Sequence, residues 1–154
     1  MNREESILFA KKFTEDMLSF YGINVEVYAT AEEEVIELSV PTTYLSKLLI
    51  GRNGETLRSF QTLIRAALHQ HNAALTRVSL DIADYKKRHN EQLAREAEGW
   101  AKQVIATGET MALKPMNAAE RRVVHNALAD YGQLSTDSEG EGRERHIVLK
   151  LKAE

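Results

Sequence analysis

Leu48-Leu49-Ile50-Gly51-Arg52-Asn53-Gly54-Glu55-Thr56-Leu57 sets two glycines around two polar residues, with apolar residues on both sides. An apolar run from Tyr44 to Ile50 precedes the glycines. After them Leu57, Phe60, Ile64, Ala67 and Leu68 recur in steps of three and four, the spacing of one helix face. The stretch predicts a helix over about 43–50, a tight turn, and a second helix over about 54–72. Glycine permits both the left-handed dihedrals of such a turn and a close approach by another backbone. The second helix starts at the turn, so its unsatisfied N–H groups and the positive end of its dipole point there. Arg52 adds a full positive charge. Together these parts form a cradle for a phosphodiester backbone. Gly-x-x-Gly also occurs in ordinary turns, so the flanking chain decides between the two readings.

Upstream, Ile7, Phe9, Phe13, Met17, Leu18 and Tyr21 recur with mostly helical spacing, and Gly22 stops the pattern, which predicts an amphipathic helix over 3–21. Val25, Val27 and Ala29 alternate with polar residues, Ala31-Glu32-Glu33-Glu34 makes a charged turn, and Ile36, Leu38 and Val40 alternate again before Pro41. That is a hairpin signature. Downstream, Arg77-Val78-Ser79-Leu80-Asp81-Ile82 alternates as a third strand. The order is α-β-β-α-α-β, an α+β layer whose helices cover one face of a three-stranded sheet.

That order, with Ile50-Gly51-Arg52-Asn53-Gly54 at the joint of the helix pair, resembles a type II KH domain over residues 1–83. In KH domains the Gly-x-x-Gly loop clamps about four nucleotides by their backbone. The resemblance implies that Gly51, Arg52, Asn53 and Gly54 contact phosphate and that Lys47 and Arg58 line the groove. Ile50 reads as a core residue beneath the loop.

Residues 85–107 predict one long helix, with Asp84 as N-cap and Gly108 past its end. Its length would be about 35 Å. The apolar stripe is narrow: Leu93, Ala97, Trp100 or Ala101, Val104 and Ile105. Such a stripe suits a helix that partly bridges two domains, and Trp100 reads as core. Lys86-Lys87-Arg88 either extends a basic face or is a solvated helix end. Met111 to Pro115 reads as a short strand, and Asn117-Ala118-Ala119-Glu120 has capping-box spacing. A helix to about Asp130 would place Val124, Ala127, Leu128 and Tyr131 inward. Leu134 to Thr136 reads as a strand, Asp137 to Gly142 as turn, and Arg145 to Leu151 as a strand with Ile147, Leu149 and Leu151 on one face.

On that later helix Arg121 and His125 stand four residues apart, on one face, where both can donate to one phosphate. With Arg122 beside them and Ser138-Glu139-Gly140-Glu141 before the closing strand, residues 84–154 resemble an R3H domain, a small binder of single-stranded nucleic acid. The resemblance implies that Arg121, Arg122 and His125 bind RNA. A type II KH domain followed by an R3H domain resembles the bacterial Jag family, also called KhpB or SpoIIIJ-associated protein. Membership implies a cytoplasmic RNA-binding protein, linked to regulation of cell elongation and envelope growth and to a small KH-only partner. Many members carry an N-terminal Jag domain and linker. Here the KH helix starts almost at Met1, so a role attached to that piece is not implied.

Charge distribution agrees. Net charge is −3, but residues 41–90 carry eight basic groups against three acidic ones, while residues 1–40 carry three against nine. Local potential steers a polyanion more than the net value does. The absence of cysteine excludes disulfides, thiolate chemistry and cysteine metal sites. The start has no apolar segment of a secretory signal, and no apolar run approaches the roughly 20 residues of a membrane span. An enzyme is disfavoured. The glycine turn lacks the Gly-Lys-Ser/Thr ending of a P-loop, and His69, His71, His89, His125 and His146 show no metal-ligand spacing. No catalytic residues, metal or cofactor are expected. Expected partners are single-stranded RNA, or single-stranded DNA as an alternative, with a KH-only protein or self-association as a scaffold reading. No membrane is expected.

Overall fold

The computed structural model describes residues 1–153. The chain divides into two units, Met1–Lys86 and Lys87–Glu154.

In the first unit, α1 spans Arg3–Ser19. A capping box starts it: Glu5 N–H donates to Asn2 Oδ1 at 2.9 Å, and Asn2 N–H donates to Glu5 Oε2 at 2.8 Å. Its buried line is Ser6, Ala10, Thr14 and Leu18, one residue per turn. The large residues expected inward, Ile7, Phe9, Phe13 and Met17, instead pack partly buried beside that line. Small side chains let the helix approach closely. The two buried hydroxyls donate within the helix, Ser6 to Asn2 O at 2.7 Å and Thr14 to Ala10 O at 2.8 Å, so neither is left unsatisfied.

Strand β1 (Tyr28–Glu32) pairs antiparallel with β2 (Val35–Val40), with Glu32 opposite Val35. It begins later than the alternation from Val25 suggests, because Val27 N–H donates to Glu15 Oε2 at 3.0 Å. Strand β3 (Arg77–Ile82) runs parallel to β2, from Val35 opposite Arg77 to Val40 opposite Ile82. A parallel pair needs a long crossover. Here it consists of α2 (Ser46–Ile50), a 3₁₀ turn (Arg52–Gly54) and α3 (Glu55–Gln70). Ile36, Leu38, Val40, Val78, Leu80 and Ile82 are buried in one core with Leu49, Ile50, Leu57, Phe60, Ile64 and Leu68. Gln61 Oε1 on α3 accepts the N–H of Leu80 at 3.0 Å, on the free edge of β3.

Ala83 and Asp84 follow with φ of 53° and 55°. Ala83 N–H is held by Val40 O at 2.9 Å and Lys86 N–H by Asp81 Oδ1 at 3.2 Å. Helix α4 (Tyr85–Thr107) then supplies Leu93, Ala97, Ala101 and Val104 to the second core, where Trp100 packs partly buried.

The second sheet has the order β4-β6-β5, antiparallel throughout, from Met111–Ala112, His146–Leu151 and Leu134–Glu139. Helix α5 (Ala118–Ala127) stops short of the expected Asp130, and Val124 and Leu128 are buried. Strand β5 continues through Asp137-Ser138-Glu139, a segment whose composition predicts a turn. Pairing with Val148, Ile147 and His146 carries it on, a tertiary override of local propensity. Ile147 and Leu149 are fully buried, whereas Leu151, expected with them, is 40% exposed at the strand end.

Candidate nucleic-acid interface

The glycine turn is built for close approach. Gly51 ends α2 at φ 72°, and its N–H donates to Lys47 O at 2.9 Å. A Cβ there would lie 2.2 Å from Thr56 Oγ1, so no other residue fits without rearrangement. Asn53 (φ 53°) and Gly54 (φ 74°) are left-handed. No side chain caps the N-terminus of α3 at Gly54, so the positive dipole end of a 16-residue helix faces the turn. Glu55 is the one acidic residue of that first helical turn.

Arg52 and Asn53 are exposed, as are Lys47 and Arg58. Among the described residues the Arg52 guanidinium makes no hydrogen bond or ion pair. Arg58 is committed in part: its Nη1 donates to Asn53 O at 2.7 Å and so buttresses the turn. Gly54 is placed differently from its neighbours. It is buried, and Tyr85 and Arg58 lie against it. Ile50 is buried as expected. Tyr85 was not singled out by the sequence. Its only signal was an aromatic residue at the start of a helix.

In the second unit a capping box fixes the start of α5. Glu120 N–H donates to Asn117 Oδ1 at 2.9 Å, Asn117 N–H donates to Glu120 Oε1 at 3.2 Å, and Glu120 Oε2 stands 3.1 Å from His89 Nε2. Arg121 is half-buried, and its Nη1 donates to Met116 O at 2.6 Å. His125, also half-buried, places Nδ1 2.7 Å from Thr136 Oγ1. The pair is thus anchored to two different elements. Among the described residues His125 Nε2 and the other guanidinium nitrogens make no further hydrogen bond. Arg122 is exposed. Thr136 carries no sequence signal, since only the fold brings it to His125.

Asp137 is held below the usual carboxylate range, first by the Ser135 hydroxyl, which donates to it at 2.6 Å, and also by Lys150 and His125. Ser138 Oγ is buried with no hydrogen-bond partner among the described residues. No group of three His, Asp or Glu among those residues could hold a metal ion, and no helix is long and apolar enough to cross a membrane.

A helix pair clasping a Gly-x-x-Gly turn against a three-stranded sheet, followed by an Arg/His helix on a second small sheet, defines a KH domain followed by an R3H domain. Residues 8–82 match the KhpA/KhpB KH domain, and residues 91–151 match the R3H domain. The chain is 32% identical over 152 residues to the RNA-binding protein KhpB of Clostridium symbiosum, covering 99% of this chain and 67% of that one. It is 36% identical over 107 residues to the RNA-binding protein KhpB of Bacillus subtilis, covering 68% of this chain and 51% of that one. The KhpB of Lactiplantibacillus plantarum is 38% identical over 105 residues, which cover 68% of this chain and 33% of the relative. The chain belongs to the KhpB family. Its match spans between a third and two thirds of the length of these relatives.

Proposed function

We propose that this chain is a single-stranded RNA-binding protein of the cytoplasm, acting without catalysis as a post-transcriptional regulator or RNA chaperone. The observation that carries the reading is the Arg52 guanidinium, exposed and without a partner among the described residues, on a glycine turn at the uncapped N-terminus of α3. Backbone amides, a helix dipole and an exposed cation converge there on one small surface, the chemistry that a phosphodiester needs. The relatives are named RNA-binding proteins, which supports RNA over DNA. Gly51 and Gly54 shape the turn, Arg52 and Asn53 meet phosphate, and Lys47 and Arg58 flank the path. In the second unit Arg121, Arg122 and His125 hold a further part of the strand. Pairing with another KH protein would be a second use of the first unit.

The test replaces Arg52 and Asn53 with aspartate and measures fluorescence anisotropy of labelled single-stranded RNA at fixed salt, with single-stranded DNA and duplex RNA as competitors. Losing charged contacts of about 1.5–3 kcal/mol predicts a loss of about tenfold or more. Both residues are exposed, so circular dichroism should be unchanged. A folded double variant that binds like the parent excludes the turn as the site.

A further inference from the structure

The basic surface of the first unit does not stop at the glycine turn. Arg58, Gln61 and Arg65 follow one another along α3 at helical spacing. Gln61 reaches Leu80 on β3, so this face of α3 looks along the free edge of that strand. At one end Arg58 braces the turn through Asn53 O. At the other end, two helical turns or about 10 Å away, Arg65 from α3 and Arg77 from β3 line a cavity of about 320 Å³ with Val35 and Val78.

Both arginines are exposed, and among the described residues neither makes a hydrogen bond or an ion pair. Four other cations of the chain are engaged. Arg3 donates to Glu33 O, Arg145 to Gly140 O, Lys11 pairs with Glu26, and Lys150 with Asp137. The acidic groups of the adjoining strands, Asp81 and Glu37, act on Lys86. Burial pushes that ammonium below its ordinary value, the two carboxylates oppose the shift, and Arg65 adds to it. The acidic turn Glu32 to Glu34 leads into Val35. Attraction at the cavity is therefore short-ranged, a matter of direct guanidinium contact. Two arginines lining one concavity suit a phosphate, which a guanidinium can bind through two N–H groups.

We propose that the cleft of Arg65 and Arg77 is a second phosphate subsite, taking the same single strand that the glycine turn clamps. The proposal rests on the RNA-binding reading of that turn. It extends the footprint of the first unit along the β3 edge, beyond the roughly four nucleotides of a KH loop.

The experiment compares the parent, Arg65→Gln with Arg77→Gln, and Arg52→Asp with Asn53→Asp. Each binds labelled oligouridylates of four and ten nucleotides across a salt series. The Gln variant should bind the tetranucleotide like the parent and the decanucleotide about tenfold more weakly, the worth of one charge-assisted contact. Its salt slope on the long strand should flatten by about 0.7, from one phosphate contact. Arg65→Lys with Arg77→Lys keeps the charge, loses the fork, and should fall between the two; it also serves if the Gln variant fails to fold. An unchanged decanucleotide affinity and slope overturns the subsite, as does an equal loss at both lengths, which marks general attraction. A parent that binds neither strand overturns both readings. An Asp variant that binds both strands like the parent overturns the glycine turn alone, while length-dependent loss in the Gln variant would still uphold the cleft.

Discussion

Gly54 lies against the ring of Tyr85: a Cβ built on the glycine would stand 2.9 Å from Tyr85 Cε1 and 3.3 Å from its hydroxyl oxygen. The contact couples the last residue of the turn to the first residue of α4. It also gives Gly54 two separate reasons to be glycine, its φ of 74° and the ring above it.

These reasons can be separated. Gly22 has a similar φ of 77° and open space around its missing Cβ. Gly22→Ala should cost only the left-handed penalty, about 1–2 kcal/mol. Gly54→Ala should cost more, and adding Tyr85→Ala to it should remove the excess through the coupling term. Urea unfolding followed by circular dichroism measures the parent, Gly22→Ala, Gly54→Ala, Tyr85→Ala and the double variant. Equal costs at Gly22 and Gly54 would show that the ring does not confine the turn.

Salt should weaken RNA binding along a straight line on a log–log plot, because phosphate contacts release counterions. A few contacts per unit predict a slope of roughly −2 to −5 at about −0.7 per contact. A slope near zero would mean that phosphate is not what the chain holds.

Arg121→Ala with His125→Ala should reduce affinity for long single strands much more than for a tetranucleotide that fills only the first unit. Two weak modules in one chain raise each other's effective concentration on a shared strand. Because Arg121 anchors to Met116 O and His125 to Thr136, circular dichroism and a melting curve must accompany the titration. A folded variant with the parent's length dependence would separate the R3H unit from strand binding.

Ser138→Ala should leave the second unit as stable as before or more so. Its buried hydroxyl has no partner among the described residues, and an unsatisfied buried group costs about 1–3 kcal/mol. A drop in melting temperature of several degrees would show that the hydroxyl is satisfied in solution.

Most of the architecture was legible because period and punctuation agreed. The β3 alternation from Arg77 to Ile82 and the capping box at Asn117 and Glu120 appear where the residues place them. Two misreadings share one cause, tertiary context. In α1 the apolar residues outline a face, yet Ser6, Ala10 and Thr14 occupy the buried line, since close packing favours small residues that hydropathy ranks low. In β5 Asp137 and Ser138 have turn chemistry but are held as strand by β6. The box at Asn2 and Glu5 has the same spacing as the one at Asn117 and Glu120. At the candidate site the exposed turn was legible, because glycines and charge carry their meaning locally. Tyr85 over Gly54 and Thr136 beside His125 were not, because those pairs are 31 and 11 positions apart and only the fold joins them.

The single hydrogen bond from Leu80 to Gln61 bears on how copies of the chain behave when crowded. A bare outer strand offers a row of N–H and C=O groups on which another chain can add its own strand, the first step toward aggregation. At high concentration such an edge is most dangerous. Gln61 occupies the middle of it, so an incoming strand must first break a side-chain bond and push aside the face of α3. Strand addition is thereby opposed, and Gln61→Leu is the change that would bare the edge and favour polymer.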